Sequence, residues 1–394
     1  MTAALVPTGV WAQVVGQAEV VAELQAAVAQ PAAMTHAWLF TGPPGSGRSV
    51  AARAFAAALQ CPDGGCGTCH ACHTVLGGTH ADVKIIVPDG LSIGAKEARE
   101  IVVGASRSPS QGRWQIILIE DADRMTEHAA NAVLKMIEEP PARTVMMLCV
   151  PSLHPDDVLV TIRSRCRLVG LRTPPVEAIA DVLTRRDGID PALAAWSAGA
   201  SGGHVGRARR LARDEEARLT RKAVLDVPLS LVSLTACLDA ADDLVGAAKE
   251  ETETATAALD GAETEALKNS LGVGARGPGL TAATRGGAGA LKELERRQKS
   301  RATRIGRDSL DRALVDLAGL YRDALVLAAA GGQGTSLNHP DRRADAEELG
   351  RLICAEGALR RIDAVLACRT ALEQNVKPQI AVEAMTVALR LPAG

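Results

Sequence analysis

Four cysteines fall within twelve residues, in the order Cys61-x4-Cys66-x2-Cys69-x2-Cys72. Four thiolates at this spacing can surround one tetrahedral Zn²⁺. With four protein ligands no coordination position stays open, so such a site is structural, not catalytic. Gly64, Gly65 and Gly67 let the intervening loop fold tightly. His70 and His73 flank the last two cysteines and could substitute as ligands. The chain has nine cysteines, an odd count, and clustering of this kind favours a metal over disulfides. Cys149, Cys166, Cys237, Cys354 and Cys368 are scattered, and burial is expected for them.

A second chemical signal precedes the cysteines. Gly42-Pro43-Pro44-Gly45-Ser46-Gly47-Arg48-Ser49 follows the pattern G-x-x-x-x-G-K-S, except that Arg48 stands where the pattern has lysine. In such a loop the backbone N–H groups point at phosphate oxygens, and the next helix adds its positive end. The lysine reaches the β- and γ-phosphates and the serine hydroxyl holds Mg²⁺. Arginine keeps the charge but is planar and forked, a poor replacement for a compact ammonium in a tight cradle. A third signal is Ile116-Ile117-Leu118-Ile119-Glu120-Asp121, an apolar run delivering two carboxylates. The usual order for holding Mg²⁺ and polarising water is Asp then Glu; here it is reversed. The bland reading is a solvated strand end.

Arg163, Arg165 and Arg167 alternate along Ile162-Arg163-Ser164-Arg165-Cys166-Arg167. They read either as a basic surface loop or as an arginine finger offered to a neighbouring subunit's nucleotide.

These residues need elements to position them. Ala37–Thr41 reads as a buried strand leading into the glycine loop, and Arg48–Gln60 as a helix with Val50, Ala54, Phe55, Ala58 and Leu59 on its apolar face. Strands are expected at 83–87, 114–119 and 144–150, with helices at 17–29, 95–105 and from a Thr126 cap to Glu139, where Pro140-Pro141 stops it. Alternation of this kind predicts a parallel sheet with helices on both faces. From Pro174 to about Asp214, short helices are broken by glycines; beyond, everything reads helical except one stretch. There, 242–265 is acidic, 271–290 holds seven glycines and is expected to be flexible, and 292–307 is basic. The charge blocks read as solvated helix faces.

The 394-residue length suggests two or three domains. A net charge of −2 and 2% aromatics argue against broad nucleic-acid binding through a basic surface or base-stacking platforms. No apolar run approaches the roughly 20 residues of a membrane span, and MTAALVPTGVWAQ lacks the charge and apolar pattern of a secretory leader.

Taken together the residues resemble the bacterial clamp-loader AAA+ proteins. The matches are Val14-Val15-Gly16-Gln17, His36-Ala37-Trp38-Leu39-Phe40, the glycine loop, the four-cysteine insertion after its helix, Asn131 to Pro141 (NAVLKMIEEPP), Ser164-Arg165-Cys166, and Arg361 to Leu389 near the end. The resemblance is dense over 13–173, looser over 174–240, and returns over 310–389. It implies an α/β P-loop AAA+ domain at 1–173 with a zinc-binding insertion at 61–72, a small helical lid at 174–214, and an all-α collar at 215–394. The segment at about 247–303 has no family counterpart and is either flexible or helical.

Within the family, the departures at Arg48, Glu120-Asp121 and Gly206, near which a sensor arginine would fall (Arg207 is one step away), fit a nonmotor subunit better than the hydrolysing gamma/tau subunit. Thr79-His80-Ala81-Asp82 fits the nonmotor subunit too, and the tail of longer gamma/tau chains is not expected here. The resemblance then implies a structural zinc on Cys61, Cys66, Cys69 and Cys72. It implies a degenerate nucleotide cradle from Gly42 to Ser49 with Glu120 and Asp121, in which ATP or ADP could sit unhydrolysed. Arg165 becomes a finger acting in trans. The implied partners are gamma/tau and delta subunits and, through the complex, the sliding clamp and primed DNA, in the cytoplasm and away from membranes. A catalytically active gamma/tau-like ATPase is the alternative. A zinc-based nucleic-acid-binding protein is a third reading, which the near-neutral charge disfavours.

Overall fold

The computed structural model describes residues 8–30, 34–271, 280–330 and 336–392. The first seven residues of the leader reading and positions 272–279 of the glycine-rich stretch lie outside them. The chain divides into two compact units, 1–88 with 92–213, and 89–91 with 214–394.

The first unit is built on five parallel strands: β1 (Ala37–Thr41), β2 (Val83–Ile86), β3 (Gln115–Ile119), β4 (Thr144–Val150) and β5 (Arg167–Gly170), in the order β2-β3-β4-β1-β5. Every residue of β3 and β4 is buried, as expected for strands covered on both faces. The two-residue side-chain period sorts the strands into two cores. Trp38, Phe40, Ile116, Leu118, Val145 and Met147 pack with α1 (Ala18–Ala29), α2 (Arg48–Gln60) and α3 (His70–Leu76). Leu39, Ile117, Ile119, Met146 and Leu148 pack with α4 (Ala95–Ala105), α5 (Glu127–Glu138) and the short α6 (Val160–Arg163). The expected α/β class is therefore what the chain forms. Thr126 caps α5 as expected, its hydroxyl accepting from Ala129 N–H at 3.3 Å.

Helix α2 departs from its expected pattern. Val50 is exposed, whereas Ala51, Ala52 and every residue from Ala54 to Gln60 are buried. The amphipathic reading fails because α2 is sandwiched between the sheet and an outer layer of α1, α3 and the N-terminal turn at Gly9–Gln13. Small alanines let that layer approach closely. Three further helices, α7 (Val176–Arg185), α8 (Pro191–Gly199) and α9 (Val205–Arg213), form a small cluster around Ile179, Leu183, Ala194, Ala198 and Ala208.

The second unit is helical: α10 (Glu215–Ser230), α11 (Leu234–Ser270), α12 (Leu280–Ala330), α13 (Arg343–Glu373) and α14 (Pro378–Leu389). The acidic and basic blocks do not interrupt it. They lie within the 37-residue α11 and the 51-residue α12 and face each other. Arg301 bonds Asp260 at 2.7 Å and Glu263 at 2.5 Å, and Arg312 bonds Glu251 at 2.6 Å. The expectation of purely solvated faces is corrected: opposite charges on neighbouring helices pair across the seam. Flexibility over 271–290 is corrected in part, since 280–290 is helix. Cys354, expected to be buried, is exposed at a kink inside α13 where its φ is 51°.

Candidate functional site

Helix α2 carries a candidate site at each end. At its N-terminus β1 runs into the glycine loop, and Gly47 is the N-cap. Gly45 has φ of 87°, and a Cβ there would meet the Cβ of His204 at 2.8 Å. Only glycine lets the loop rest this closely against the turn that starts α9. His204, which sequence reading passed over, thus abuts the phosphate loop. Gly206, where a sensor arginine would fall, is on the first turn of α9. Arg48 Nη1 donates to the Gly42 carbonyl at 2.9 Å, so its guanidinium is turned onto the loop's own backbone. Ser46 Oγ is buried and has no hydrogen-bond partner among the described residues. Gln17 reaches across: its amide donates to the Ser46 carbonyl at 3.3 Å and to the Arg172 carbonyl, and its Oε1 accepts from Arg172 N–H at 3.3 Å.

The carboxylates beyond β3 are also engaged. Arg53, one helical turn past Ser49, donates from Nε to Glu120 Oε1 at 2.5 Å. Asp121 faces Arg124 at 3.9 Å. Burial raises the Asp123 carboxyl above its usual range. A cradle for Mg-nucleotide needs a free carboxylate at the strand end and loop donors directed outward. Here Glu120 is neutralised by Arg53, Arg48 is folded onto Gly42, and Gly45 is backed by His204. Arg48 and Glu120, two positions that a hydrolysable Mg-nucleotide would use, thus have protein partners in this structure.

At the C-terminal end of α2, Cys61 is the C-cap and Cys69 is the N-cap of α3. The Sγ atoms of Cys61, Cys66, Cys69 and Cys72 all lie within 4.8 Å of one another, with Cys61–Cys66 at 3.6 Å and Cys61–Cys69 at 3.7 Å. A tetrahedron of Zn–S bonds about 2.3 Å long has edges of about 3.8 Å, so the donor set fits that ion. Backbone N–H groups of Cys66, Gly67 and Cys72 donate to Cys61, Cys72 and Cys69 sulfurs, each at 3.4 Å. These bonds favour thiolate charge. The sulfurs are unequal: the Thr68 hydroxyl, 3.6 Å away, holds the Cys66 thiol down to about 6, while burial pushes Cys72 up. His70 and His73 are exposed and outside the sulfur cluster, so the suggestion that they substitute as ligands is corrected. The N-terminal turn seals the loop. Val10 N–H donates to Gly65 O at 3.0 Å and Trp11 Nε1 to Gly64 O at 3.1 Å, while Gly65 takes a φ of 108° against Val10.

Asp82, the last residue of Thr79-His80-Ala81-Asp82, has a physical role that the sequence did not supply. Only 2% exposed, its carboxylate accepts from Ser110 N–H and Oγ, Gln111 N–H and Gly112 N–H at 2.5 to 2.8 Å. Burial alone would raise its pKa, but these donors overcome that and hold it at about 2. It anchors the loop that enters β3. A cavity of about 880 Å³ opens nearby along β2 and α4, past Lys84, Arg99 and Arg107, and holds none of the sequence-predicted site residues.

The three alternating arginines part company. Arg163 Nη1 donates to Leu153 O at 3.0 Å and tethers the preceding loop. Arg167 bonds Glu23 of α1 at 2.9 Å and stacks 4.9 Å from the Trp38 ring centroid. Arg165 alone projects with its side chain 43% exposed, resting on Glu138 at 3.0 Å.

Comparison with known proteins bears on this geometry. Residues 16–175 match the family model described as "DNA polymerase III, delta subunit". Over 195 residues the chain is 32% identical to DNA polymerase III subunit delta' of Bacillus subtilis, covering 49% of this chain and 58% of that protein. Over this stretch the chain is similar to DNA polymerase III delta' subunits. Similarity to the delta' subunit of Escherichia coli K12 is 35% over 156 residues, 38% of this chain and 46% of that one. The gamma/tau subunit of Mycobacterium bovis matches at 32% over 180 residues, 44% of this chain and 31% of that one. The chain thus spans 31% to 58% of the length of these relatives, and the stretch matched by the family model, 16–175, carries the glycine loop and the four clustered cysteines. No helix among the described residues is long and apolar enough to cross a membrane.

Proposed function

We propose that the chain is the nonmotor delta prime subunit of a DNA polymerase III clamp loader. It sits beside a gamma/tau subunit and offers Arg165 in trans to that neighbour's ATP. The carrying observation is the contrast between Arg48 of the nucleotide loop and Glu120 beside it, both held by protein groups, and an arginine in Ser164-Arg165-Cys166 that stays exposed. A finger of this kind stabilises charge on the transferring phosphoryl and is worth ~10³-fold or more in rate. Loss of its own hydrolysis therefore leaves the chain a part in hydrolysis. The four cysteines would hold a structural Zn²⁺ that ties α2 to α3; when bound, the ion supplies cohesion and no chemistry. ATP or ADP, if admitted to the altered loop, would not be hydrolysed.

The first 173 residues would form the AAA+ domain, 174–214 the lid, and 215–394 the collar, with 247–303 an insertion whose described parts lie in α11 and α12. Exposed apolar residues support a collar role for the second unit. Leu352, Leu359 and Leu366 of α13 are 48%, 50% and 44% exposed, and the last two lie seven residues apart beyond the kink at Cys354. That spacing is a helix-packing seam. Leu234 and Leu238, one turn apart on α11, and Ile380 and Val387 of α14 are also exposed. Exposed apolar side chains of this kind suit contacts with neighbouring subunits, here gamma/tau and delta. Such an assembly would load the sliding clamp on primed DNA in the cytoplasm, with DNA held through phosphates in a salt-sensitive way.

The test is reconstitution with gamma/tau and delta. Arg165→Ala is expected to lower ATP turnover of the assembly; unchanged turnover and clamp loading would defeat the finger assignment. Turnover by the purified chain that Ser49→Ala abolishes would instead establish the active-ATPase alternative.

A further inference from the structure

We propose that Glu138 is a parking carboxylate for Arg165, a positioning residue that competes with the neighbour's phosphate for the guanidinium; the inference rests on the trans-finger reading above. Arg165 divides its donors. Nη1 bonds the Thr161 carbonyl of α6 at 3.1 Å and Oγ of Ser164, the C-cap of that helix, at 3.3 Å. Nη2 reaches across to α5, to Glu138 Oε1 at 3.0 Å. Glu138 is the last residue of α5, where the helix's carbonyl end adds negative potential.

The pairing is suited to release. Both side chains are about two-fifths exposed, 43% for Arg165 and 41% for Glu138, and exposed ion pairs are weak and screened by salt. A phosphate offers more charge and a bidentate partner, so it displaces Glu138 once docking brings it within reach. The neighbouring arginines lack this freedom. Arg167 is sandwiched between Glu23 and the Trp38 ring, and Arg163 bonds a backbone carbonyl. Delivery of Arg165 therefore requires breaking the ion pair to Glu138 on α5 and freeing Nη1 from Thr161 O and Ser164 Oγ, of which the Glu138 contact is the one made between two charged groups. Glu138 sets how readily the unengaged finger is surrendered, and it keeps the guanidinium folded against α5 when no phosphate is present.

The experiment uses the reconstituted assembly with gamma/tau chains whose own Ser-Arg-Cys arginine is changed to alanine, so that Arg165 is the sole finger. ATP turnover is measured for the unaltered chain, Glu138→Gln, Arg165→Ala and the double variant. Glu138→Gln keeps size and hydrogen-bonding capacity, and an unchanged melting temperature checks its fold. Glu138→Gln is expected to raise turnover at subsaturating ATP about two- to fivefold. The gain vanishes in the Arg165→Ala background and shrinks toward unity as salt approaches about 0.5 M. If Arg165→Ala leaves turnover unchanged, the finger reading fails. If Arg165→Ala collapses turnover while Glu138→Gln has no effect or lowers it, the finger stands and the parking role is overturned. A gain that persists without Arg165 also overturns it.

Discussion

The two ends of α2 have opposite fates. At the N-terminus, a loop shaped for phosphate has drawn its polar groups inward: Arg48 onto Gly42 and Arg53 onto Glu120, with His204 against Gly45. At the C-terminus, four thiols converge on one another, backed by backbone N–H donors, in an arrangement that a cation completes. At one end the two charged groups Arg48 and Glu120 have protein partners, and at the other the four thiols form a donor set that could hold an ion. The same helix thus keeps a loop for its shape at one end and a loop for its chemistry at the other. A motif's survival in sequence does not by itself reveal which of these holds; the partners of its side chains do.

The largest effect should come from the cysteine end. Chelation of bound zinc, or Cys72→Ser, is expected to destabilise the first unit by roughly 3 kcal/mol or more, about 6–12 °C in melting temperature. A chain purified with one equivalent of zinc, and lost melting on chelation, are the readouts. Identical melting with and without zinc would erase the contrast.

Asp82 is an intermediate case, a full charge satisfied wholly by protein donors. Its carboxyl is held at about 2 against an ordinary 3.8, so its contribution is fully present above pH 3.8 and is lost as pH falls toward 2. Asp82→Asn should cost about 2 kcal/mol at neutral pH. The gap between variant and parent should close between pH 4 and 2 in denaturant titrations, and a gap independent of pH would contradict the assignment.

Smaller still is the effect expected at the glycine end. Arg48→Lys removes the bond to Gly42 O and should cost less than about 1 kcal/mol. It should confer no turnover on the isolated chain, because Glu120 stays paired with Arg53. ATP turnover gained by that single change would show that Arg48 alone disables the loop. Smallest is the prediction for His70→Ala and His73→Ala, which should leave zinc content unchanged because both rings are exposed outside the sulfur cluster. Loss of the metal in either variant would reassign the ligand set.

Much of this was legible in sequence because it is local. The strand at Ala37–Thr41, the Thr126 cap and the cysteine spacing are set by neighbours a few residues apart, through side-chain period, capping and ligand reach. The failures are non-local. Val50 lies on the apolar period of α2 and yet is exposed, since a helix enclosed by a sheet and an outer layer has no single inner face. The acidic and basic blocks looked like solvated surfaces because their partners lie some forty residues away, as Arg301 and Asp260 do.

By itself the sequence determined the element order, the spacing of the four clustered cysteines, the residues at Arg48 and Glu120-Asp121, and the presence of three arginines near Cys166. Only the tertiary structure decided which arginine is exposed, what satisfies Glu120, and what backs Gly45. The division follows from reach. Backbone hydrogen bonding and side-chain periodicity act over one or two turns, whereas ion pairs and close packing join residues such as Arg53 and Glu120 that only the folded sheet brings together.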